Sequence, residues 1–360
     1  MPHLVVDISS HGFGHLAQVA PAVEALRARR PDLQLTVRCA LPEAVVRTRI
    51  PHLERLIPLQ ADVGMVMASA MTVRVDDSHS AHLAFHRHWP RRVDDAAEDL
   101  AALAPDLLLA DVPYLSLAAA EAAGVPTVAL CSLNWADVYR AYCGHLPGAE
   151  RVLEEMTTAY GAVSLFIQAT PHMPMAWIPR HLAVAPIAPP PAGDRREVRE
   201  RLGVDAGTRL LLVALGGIDT RLEVDRWPAV SHGLWMVPEA WAMAAPHIRP
   251  LPSGVATFPE LLAAADMVLT KPGYGTFVEA ACAGTPVLYI DRPDWPETPY
   301  LAPWLASHVA CAAVDGNAVV DGTLIPRVHD LLAAGRCPAH PFTGAVDAAA
   351  KLDLMLEIKC

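Results

Sequence analysis

One stretch of the chain, MVLTKPGYGTFVEAACAGTPVLYIDRPDWPETPYLAPWL at residues 267–305, strongly limits the folds available to it. Its short apolar run at 267–269 predicts a buried strand, and the Ala-rich segment 276–283 predicts a helix that ends at Gly284. A second apolar run at 287–290 predicts another buried strand. A strand, glycine turn, helix and strand in this order predict a parallel α/β fold, which binds its ligands at the carboxyl ends of strands.

The turn in this stretch predicts an anion site. Gly273 and Gly275 allow a tight turn and a close approach of a ligand to the backbone around Tyr274. Free N–H groups and the positive end of the helix then face the ligand, as in many phosphate sites. We expect Thr276 to cap this helix and to offer a hydroxyl. Glu279, one turn further on, is expected either to complete a capping box or to hold ribose hydroxyls.

An acidic loop follows the second strand and carries Asp294 and Glu297. Because it leaves the carboxyl end of that strand, we expect both side chains on the ligand side of the sheet. A lone GxG is common in α/β turns, so a structural unit without a ligand is the alternative. The order of all these features favours a nucleotide site.

The N-terminal region predicts a second unit of this kind. A strand at 3–8 is followed by the loop Ser-Ser-His-Gly-Phe-Gly-His at 9–15 and by a helix at 16–29. The loop lacks the GxGxxG spacing, and the next strand, 33–39, is not followed by an acidic residue, which disfavours a dinucleotide site. The loop supplies His11, Phe13 and His15 as candidate site residues, with capping of the helix start as the alternative role of a histidine.

Polar and aromatic residues also follow the next two predicted strands, 107–110 and 127–130. Asp111 ends the first of them and is expected either to face a ligand site or to cap the helix 115–123. Beyond the second strand lie Asn134, Trp135 and Tyr139, which are candidates for contact with a small molecule.

The chain is long enough for two domains. The proline-rich segment PIAPPPAG at 186–193 predicts a linker, so we assign residues 1–185 to one domain and 194–339 to the other. Residues 340–360, with a helix at 346–358, are expected to pack back on the first domain. The second domain begins with a strand at 209–215, and Gly216 and Gly217 after it predict a turn that holds a diphosphate, with a purely structural βα turn as the alternative.

Composition excludes several classes of partner. The net charge of −11 gives no basic surface for nucleic acid, and no apolar run is long enough to span a bilayer. No secretory signal is visible, and the seven scattered cysteines form no CxxC, so we expect a cytoplasmic protein with reduced thiols. The histidines at 79, 82, 86 and 88 have no cysteine or carboxylate that would complete the ligand set of a recognisable metal site, so no metal site is predicted. The oligomeric state is left open.

These motifs resemble those of glycosyltransferases with the GT-B fold, particularly the MurG-like and UDP-glycosyltransferase families. The GHLAQVAP run at 14–21 resembles their acceptor-side GHxxP loop, and also the GFGH loop of nucleotide-sugar hydrolases of the PseG type. HGFGH, ADVPY, SLNWADVYRAY and KPGYGTFVEA together resemble the GT-B-like N-terminal region of plant L-arabinokinases and related bacterial predicted glycosyltransferases. That likeness covers most of the chain and gives no reason to expect kinase activity.

The resemblance implies two Rossmann-like domains facing a cleft, with a nucleotide-sugar, most simply a UDP-sugar, held by the second domain. It implies His15 as the base that deprotonates an acceptor hydroxyl, Asp111 as the residue that orients it, and His11 as the competing base. The expected reaction is sugar transfer with inversion and without a metal or other cofactor. Two alternatives stay open: hydrolysis of the nucleotide-sugar by water that His15 activates, and a non-catalytic nucleotide-sugar binding module.

Overall fold

The computed structural model describes residues 1–190, 192–218 and 220–357, which form two compact units. The N-terminal unit contains Met1–Ala68, Thr72–Ile187 and the C-terminal segment that starts at Thr343. The C-terminal unit contains Ala188–Phe342 and the short insertion Ser69–Met71. The boundary after Ile187 lies in the proline-rich segment that predicts a linker. Pro191 of that segment, and the final residues 358–360, lie outside the described residues.

The N-terminal unit is built on a seven-stranded parallel sheet in the order β3-β2-β1-β4-β5-β6-β7. Its strands are β1 His3–Asp7, β2 Gln34–Arg38, β3 Arg55–Ile57, β4 Leu107–Ala110, β5 Thr127–Cys131, β6 Leu165–Ala169 and β7 His181–Val184. Its helices are α1 Gly14–Arg29, α2 Glu43–Arg49, α3 Val75–His86, α4 Trp89–Ala101, α5 Tyr114–Ala123, α6 Trp135–Cys143, α7 Ala149–Ala162 and α14 Gly344–Glu357.

The central strands of this sheet are covered on both faces. Every residue of β1, β4 and β5 is buried, which agrees with the apolar run at the centre of each strand. The chain moves outward from β1 to β2 and β3, and then returns to place β4 on the other side of β1. The order of the strands therefore reverses between β1 and β4. In open α/β sheets, ligands bind at the carboxyl ends of the strands at such a reversal.

Helix α14 packs against α1 within the same unit. Its buried residues Ala345, Ala348, Ala349 and Leu352 are spaced to form one apolar face. Beside this face, the carboxylate of Asp353 pairs with the guanidinium groups of the two arginines at the end of α1, at 3.0 Å and 2.5 Å. The C-terminal helix is thus a structural part of the N-terminal unit.

The C-terminal unit is built on a six-stranded parallel sheet in the order β10-β9-β8-β11-β12-β13. Its strands are β8 Arg209–Ala214, β9 Gly233–Val237, β10 Ile248–Pro250, β11 Met267–Thr270, β12 Val287–Ile290 and β13 Cys311–Val314. Its helices are α8 Arg195–Arg201, α9 Phe258–Ala264, α10 Tyr274–Ala283, α11 Thr298–Ala306, α12 Gly316–Val320 and α13 Ile325–Ala334, with short 3-10 helices at Val224–Arg226 and Glu239–Trp241.

The reversal of strand order in this second sheet lies between β8 and β11. The ends of these strands are in register, because Thr270 lies opposite Ala214 and its hydroxyl donates to the Ala214 carbonyl at 2.7 Å. The Gly216-Gly217 turn and the Lys271–Gly273 segment therefore leave the sheet side by side. The two glycine-bearing segments predicted to bind a diphosphate both lie at the reversal point of this unit.

Two parallel sheets with flanking helices confirm the predicted α/β class. Strands β4 and β12 match the predicted bounds, and most other strands differ by a residue or two. Four helices begin one or two residues earlier than predicted, α1 at Gly14, α5 at Tyr114, α10 at Tyr274 and α14 at Gly344. In α1 and α10 the reason is that a glycine of the expected turn already lies in the first helical turn. Over the described residues, none of the helices has the length and apolar character needed to cross a membrane.

Candidate active site

A buried ion pair lies at the reversal point of the N-terminal unit. His15 is in the first turn of α1, and its Nδ1 lies 2.5 Å from Oδ2 of Asp111, directly after β4. The other carboxylate oxygen of Asp111 accepts a hydrogen bond from the backbone N–H of Ser9 at 2.7 Å. Neither side chain caps a helix, since the N-caps of α1 and α5 are Phe13 and Pro113 without side-chain bonds. The alternative capping roles of His15 and Asp111 are therefore wrong.

The surroundings of His15 favour its protonated form. Burial by itself lowers the pKa of His15, but the Asp111 carboxylate and the Cys131 thiol together raise it well above its usual range. A ring nitrogen of His15, a carboxylate oxygen of Asp111 and Sγ of Cys131 lie within 4.8 Å of one another. The contact with Asp111 also fixes the orientation of the imidazole, because Nδ1 faces the carboxylate and Nε2 is left as the nitrogen that can exchange a proton.

The second histidine of the loop, His11, packs against Gly64 and shares the neighbour Trp135 with His15. Its ring packs against Gly64, where an added Cβ would come within 2.8 Å of the His11 Nδ1. Gly64 also has a φ of +61°, which favours glycine. The edge of Trp135 meets the His11 ring with centroids 5.0 Å apart, and Trp135 lies 5.5 Å from the His15 ring. One indole therefore contacts both candidate bases.

Of the four residues predicted to contact an acceptor, only Phe13 is exposed. Asn134 is the N-cap of α6, where its Oδ1 accepts from the Asp137 N–H at 2.8 Å. Tyr139 is buried, and its hydroxyl lies 2.8 Å from Nδ1 of His79. Trp135 is buried, and its ring contacts His11 and His15. In this structure these three side chains make contacts inside the unit, so a direct role with an acceptor stays a prediction for them.

Three of the four histidines that could suggest a metal site, His79, His82 and His86, lie on α3 and bind other protein groups. His82 donates from Nε2 to the Gly64 carbonyl at 2.8 Å, and Nδ1 of His86 lies 2.5 Å from the Glu155 carboxylate. Burial lowers the pKa of His82 to about 4 and, with His82 nearby, that of His86 to about 3. His82 and His86 are thus buried and hydrogen bonded within the unit, whereas His88, the N-cap of α4, is exposed.

The reversal point of the C-terminal unit carries two glycine turns and a lysine. Gly216, with a φ of +84°, and Gly217 are exposed after β8. Lys271 follows β11 directly. An added Cβ at Gly216 would lie 3.8 Å from Cε of Lys271, and one at Gly273 would lie 3.5 Å from its Nζ. The ammonium group is thus placed between the two glycine segments, where backbone N–H groups and a cation can share one anion.

The start of α10 differs from the sequence prediction in its capping. Gly273 is the N-cap, in an extended conformation and without a side-chain bond. Thr276 lies inside the first helical turn, so it does not cap the helix, and Glu279 does not complete a capping box. Tyr274 and Gly275 are buried in that turn, and Glu279 is only 4% exposed. The expectation that Thr276 caps the helix is therefore wrong, while contacts of these residues with a donor stay a prediction.

The acidic loop after β12 carries Asp294 and Glu297 together with a positively charged residue, Arg292. Asp294 is exposed, whereas Glu297 is buried and accepts from the Trp295 indole N–H at 3.4 Å. Arg292 lies over the Trp295 ring at 4.0 Å. Burial and the Arg292 guanidinium lower the pKa of Lys271 to about 8, against the opposing effect of Glu297. Lys271 is therefore charged at neutral pH and becomes neutral only a little above it.

Two charged residues of these regions, Lys271 and Asp62, are not among the residues predicted from the sequence. Lys271 follows a strand as directly as Asp111 does, so the same positional argument identifies it. Asp62 lies in an irregular segment after β3, with no strand or motif beside it to indicate a role. It is 4% exposed, and its Oδ2 accepts from the Trp135 indole N–H at 2.8 Å. Only the tertiary structure brings Asp62 to the loop.

A scan of known protein families finds none that matches the chain. Among curated proteins, L-arabinokinase of Arabidopsis thaliana is 25% identical over 315 residues. The match covers 83% of this chain but only 29% of that protein.

Solved structures match the chain over nearly its whole length. The glycotransferase of kitacinnamycin superposes with a TM-score of 0.60 at 18% identity, over 99% of this chain and 96% of that one. UGT2 of Phytolacca americana, complexed with UDP-2-fluoro-glucose and pterostilbene, gives 0.57 at 12% identity, over 100% and 94%. Glycosyltransferase VinC, in complex with dTDP, gives 0.55 at 16% identity, over 99% and 95%. The chain has the GT-B fold.

Within this GT-B fold, the predicted residues divide between the two reversal points. His11, Phe13, His15 and Asp111 lie at the reversal between β1 and β4 of the N-terminal unit. Gly216, Gly217 and Gly273 lie at the reversal between β8 and β11 of the C-terminal unit, and Lys271 joins them. One region is suited to moving a proton and the other to holding an anion.

Proposed function

We propose that this protein is a glycosyltransferase that moves a sugar from a nucleotide-sugar donor to a hydroxyl of a small-molecule acceptor. The observation that carries the proposal is the buried His15–Asp111 pair at the reversal point of the N-terminal unit. A histidine held by a carboxylate on one ring nitrogen is arranged to take a proton on the other. The GT-B fold and its similarity to nucleotide-sugar-dependent enzymes support the same function.

In the proposed reaction His15 Nε2 takes the proton of the acceptor hydroxyl. The acceptor oxygen forms a bond to the anomeric carbon of the sugar as the bond to the donor phosphate breaks, and the configuration inverts. Asp111 stabilises the imidazolium that forms. The nucleoside diphosphate leaves with its negative charge, and Phe13, an exposed residue of the same loop as His15, contacts the acceptor. No metal ion is needed in this scheme, because the leaving group is stabilised by the residues of the C-terminal unit.

We assign the donor diphosphate to the glycine turns and Lys271 of the C-terminal unit. Backbone N–H groups at a glycine turn and at a helix start can bind an anion, and the Lys271 ammonium lies between these two segments. Glu279 is assigned to the ribose hydroxyls, and Asp294 and Glu297 to the sugar side of the donor. UDP-sugars are the first donors to test, since the Phytolacca americana enzyme was solved with one, and dTDP-sugars are the next.

We place the protein in the cytoplasm as part of the same proposal. The described cysteines at 39, 131, 143, 282, 311 and 337 are free thiols. Free thiols are the usual state of cysteine in a reducing compartment.

The test is a screen of UDP- and dTDP-sugars by thermal shift, followed by assays of nucleoside diphosphate release with and without a panel of hydroxyl-bearing acceptors. Release that depends on an acceptor, with a glycosylated product, supports transfer. Equal release without any acceptor identifies a nucleotide-sugar hydrolase instead. Binding of a donor without release under either condition identifies a binding module, and no binding of any donor overturns the proposal.

A further inference from the structure

Asp62 is a buried carboxylate beside the proposed base that the reaction above does not use. It lies in the irregular segment between β3 and α3 of the N-terminal unit. Its Oδ2 accepts from the Trp135 indole N–H at 2.8 Å, and the Ser9 hydroxyl also hydrogen bonds to it. Burial of a charged carboxylate costs folding free energy unless the group is well hydrogen bonded, and these two hydrogen bonds offset that cost at Asp62.

The indole that Asp62 holds is fixed at both ends. The backbone N–H of Trp135 donates to the Tyr160 hydroxyl at 3.1 Å, and that hydroxyl donates to the Val112 carbonyl at 2.6 Å. The ring between these anchors contacts both histidines of the loop, with centroid distances of 5.0 Å to His11 and 5.5 Å to His15. The orientation of Trp135 therefore sets the space in which both imidazoles lie.

Ser9 connects Asp62 to the His15–Asp111 pair. Its backbone N–H donates to Asp111, and its hydroxyl hydrogen bonds to Asp62. Both carboxylates are therefore hydrogen bonded to the same residue. The charged or titratable groups that act on Asp62 are Asp111 and His15. Two tyrosines, Tyr114 and Tyr160, also feel its charge, and burial keeps the pKa of each well above its usual range.

We propose that Asp62 is a positioning residue for the base: it locks Trp135 against His11 and His15 and adds negative charge near His15. The inference rests on the proposed function, in which His15 takes the acceptor proton. Burial raises the pKa of Asp62 to about 6, and Asp111 adds to this rise, against the opposing effects of the Ser9 and Trp135 hydrogen bonds and of His15. Below that pH the carboxylate becomes neutral, and its hold on the indole N–H weakens.

The first experiment measures this hydrogen bond without any activity assay. The indole ¹⁵N–¹H signals of the full chain are followed with pH, and Trp135→Phe assigns the Trp135 signal. We expect this signal to shift with a midpoint near pH 6, and to lose that titration in Asp62→Asn but to keep it in His15→Gln. A Trp135 signal that does not titrate near pH 6, or that titrates unchanged in Asp62→Asn, overturns the proposal.

The second experiment separates this inference from the proposed function. In Asp62→Asn an amide oxygen can still accept from Trp135 but the charge is gone, so the pKa of His15 falls and the rising limb of the pH–rate profile moves to lower pH. Asp62→Ala also removes the atom that accepts from the Trp135 indole. We therefore expect a lower kcat in Asp62→Ala than in Asp62→Asn, with the donor KM unchanged. If Asp62→Ala does not fold, the Asp62→Asn profile and the indole titration decide.

The outcomes are distinguishable. Loss of turnover in His15→Ala, together with wild-type kcat and an unmoved pH limb in Asp62→Asn and Asp62→Ala, overturns the role of Asp62 alone. Full activity in His15→Ala overturns the proposed base, and with it the role of Asp62 as its positioning residue, even if the indole titration is observed.

Discussion

The two units place their candidate sites at equivalent points of their sheets but equip them differently. At the reversal between β1 and β4, the site consists of buried side chains: an imidazole, two carboxylates and an indole. At the reversal between β8 and β11, it consists of exposed glycines, the first turn of a helix and one lysine. In the proposed function, the same α/β geometry serves proton transfer through side chains in one unit and anion binding largely through the backbone in the other.

This difference has a physical reason. A base must be fixed in one tautomer and shielded from water, so the N-terminal site needs buried partners for each polar atom. A diphosphate carries its charge on several oxygens, so it is better matched by several backbone N–H groups and a compact ammonium group. The comparison predicts that substitutions in the N-terminal site change turnover, whereas those in the C-terminal site change donor binding.

The largest effect is expected from His15→Ala. Removing a positioned base should lower kcat by about 10²- to 10⁴-fold, while the donor affinity measured by calorimetry stays unchanged. His11→Ala is the matched control, because it removes the other imidazole that contacts Trp135. An inactive His11→Ala variant beside an active His15→Ala variant would transfer the role of base to His11. Full activity in both would eliminate histidine base catalysis.

Asp111→Asn should have a smaller effect than His15→Ala, because the imidazole remains and only its charged partner is lost. A base must be neutral to accept a proton, so the wild-type rate should rise with pH through the raised pKa of His15. Without the carboxylate that pKa falls, and the rising limb should move to lower pH. A pH–rate profile that is identical in the two proteins would contradict the assignment of Asp111.

In the C-terminal unit, Lys271→Met should weaken nucleotide binding by about 1.5–3 kcal/mol, the range for hydrogen bonds to charged groups. Lys351→Met, on the exposed side of α14, is the control and should bind normally. Since the pKa of Lys271 is about 8, wild-type binding should weaken as the pH rises above 8, and this dependence should vanish in Lys271→Met. Equal affinity in all three proteins would remove Lys271 from the donor site.

The smallest effect is expected at Gly64, which the His11 ring contacts. Gly64→Ala should lower the free energy of unfolding by about 1–3 kcal/mol, because φ is positive there and the new Cβ meets the His11 ring. Gly12→Ala has a similar φ of +89° but no atom within 4 Å of the added Cβ. Gly64→Ala should therefore be the less stable variant in denaturant titrations. Equal stability would show that the contact with His11 contributes nothing.

The α/β class follows from the amino-acid sequence alone, because short apolar runs alternate with glycine turns and longer helical segments. The sequence also determined the candidates that follow strands directly, such as Asp111, Gly216 and Gly217, since the carboxyl end of a parallel strand is a ligand position in this class of fold. The helix start at Tyr274 was not determined in this way, because a glycine pair reads equally well as a turn or as a first helical turn.

The residues that surround His15 are set by contacts between distant parts of the chain. The contact between His15 and Asp111 joins positions 96 residues apart, and the bond between Trp135 and Asp62 joins positions 73 apart. The tertiary structure also decided that Asn134 caps a helix, that Tyr139 faces His79, and that His82 and His86 are buried. A local pattern carries no information about partners that the fold brings together over such separations, so a lone aspartate in an irregular segment gave no signal before the chain was folded.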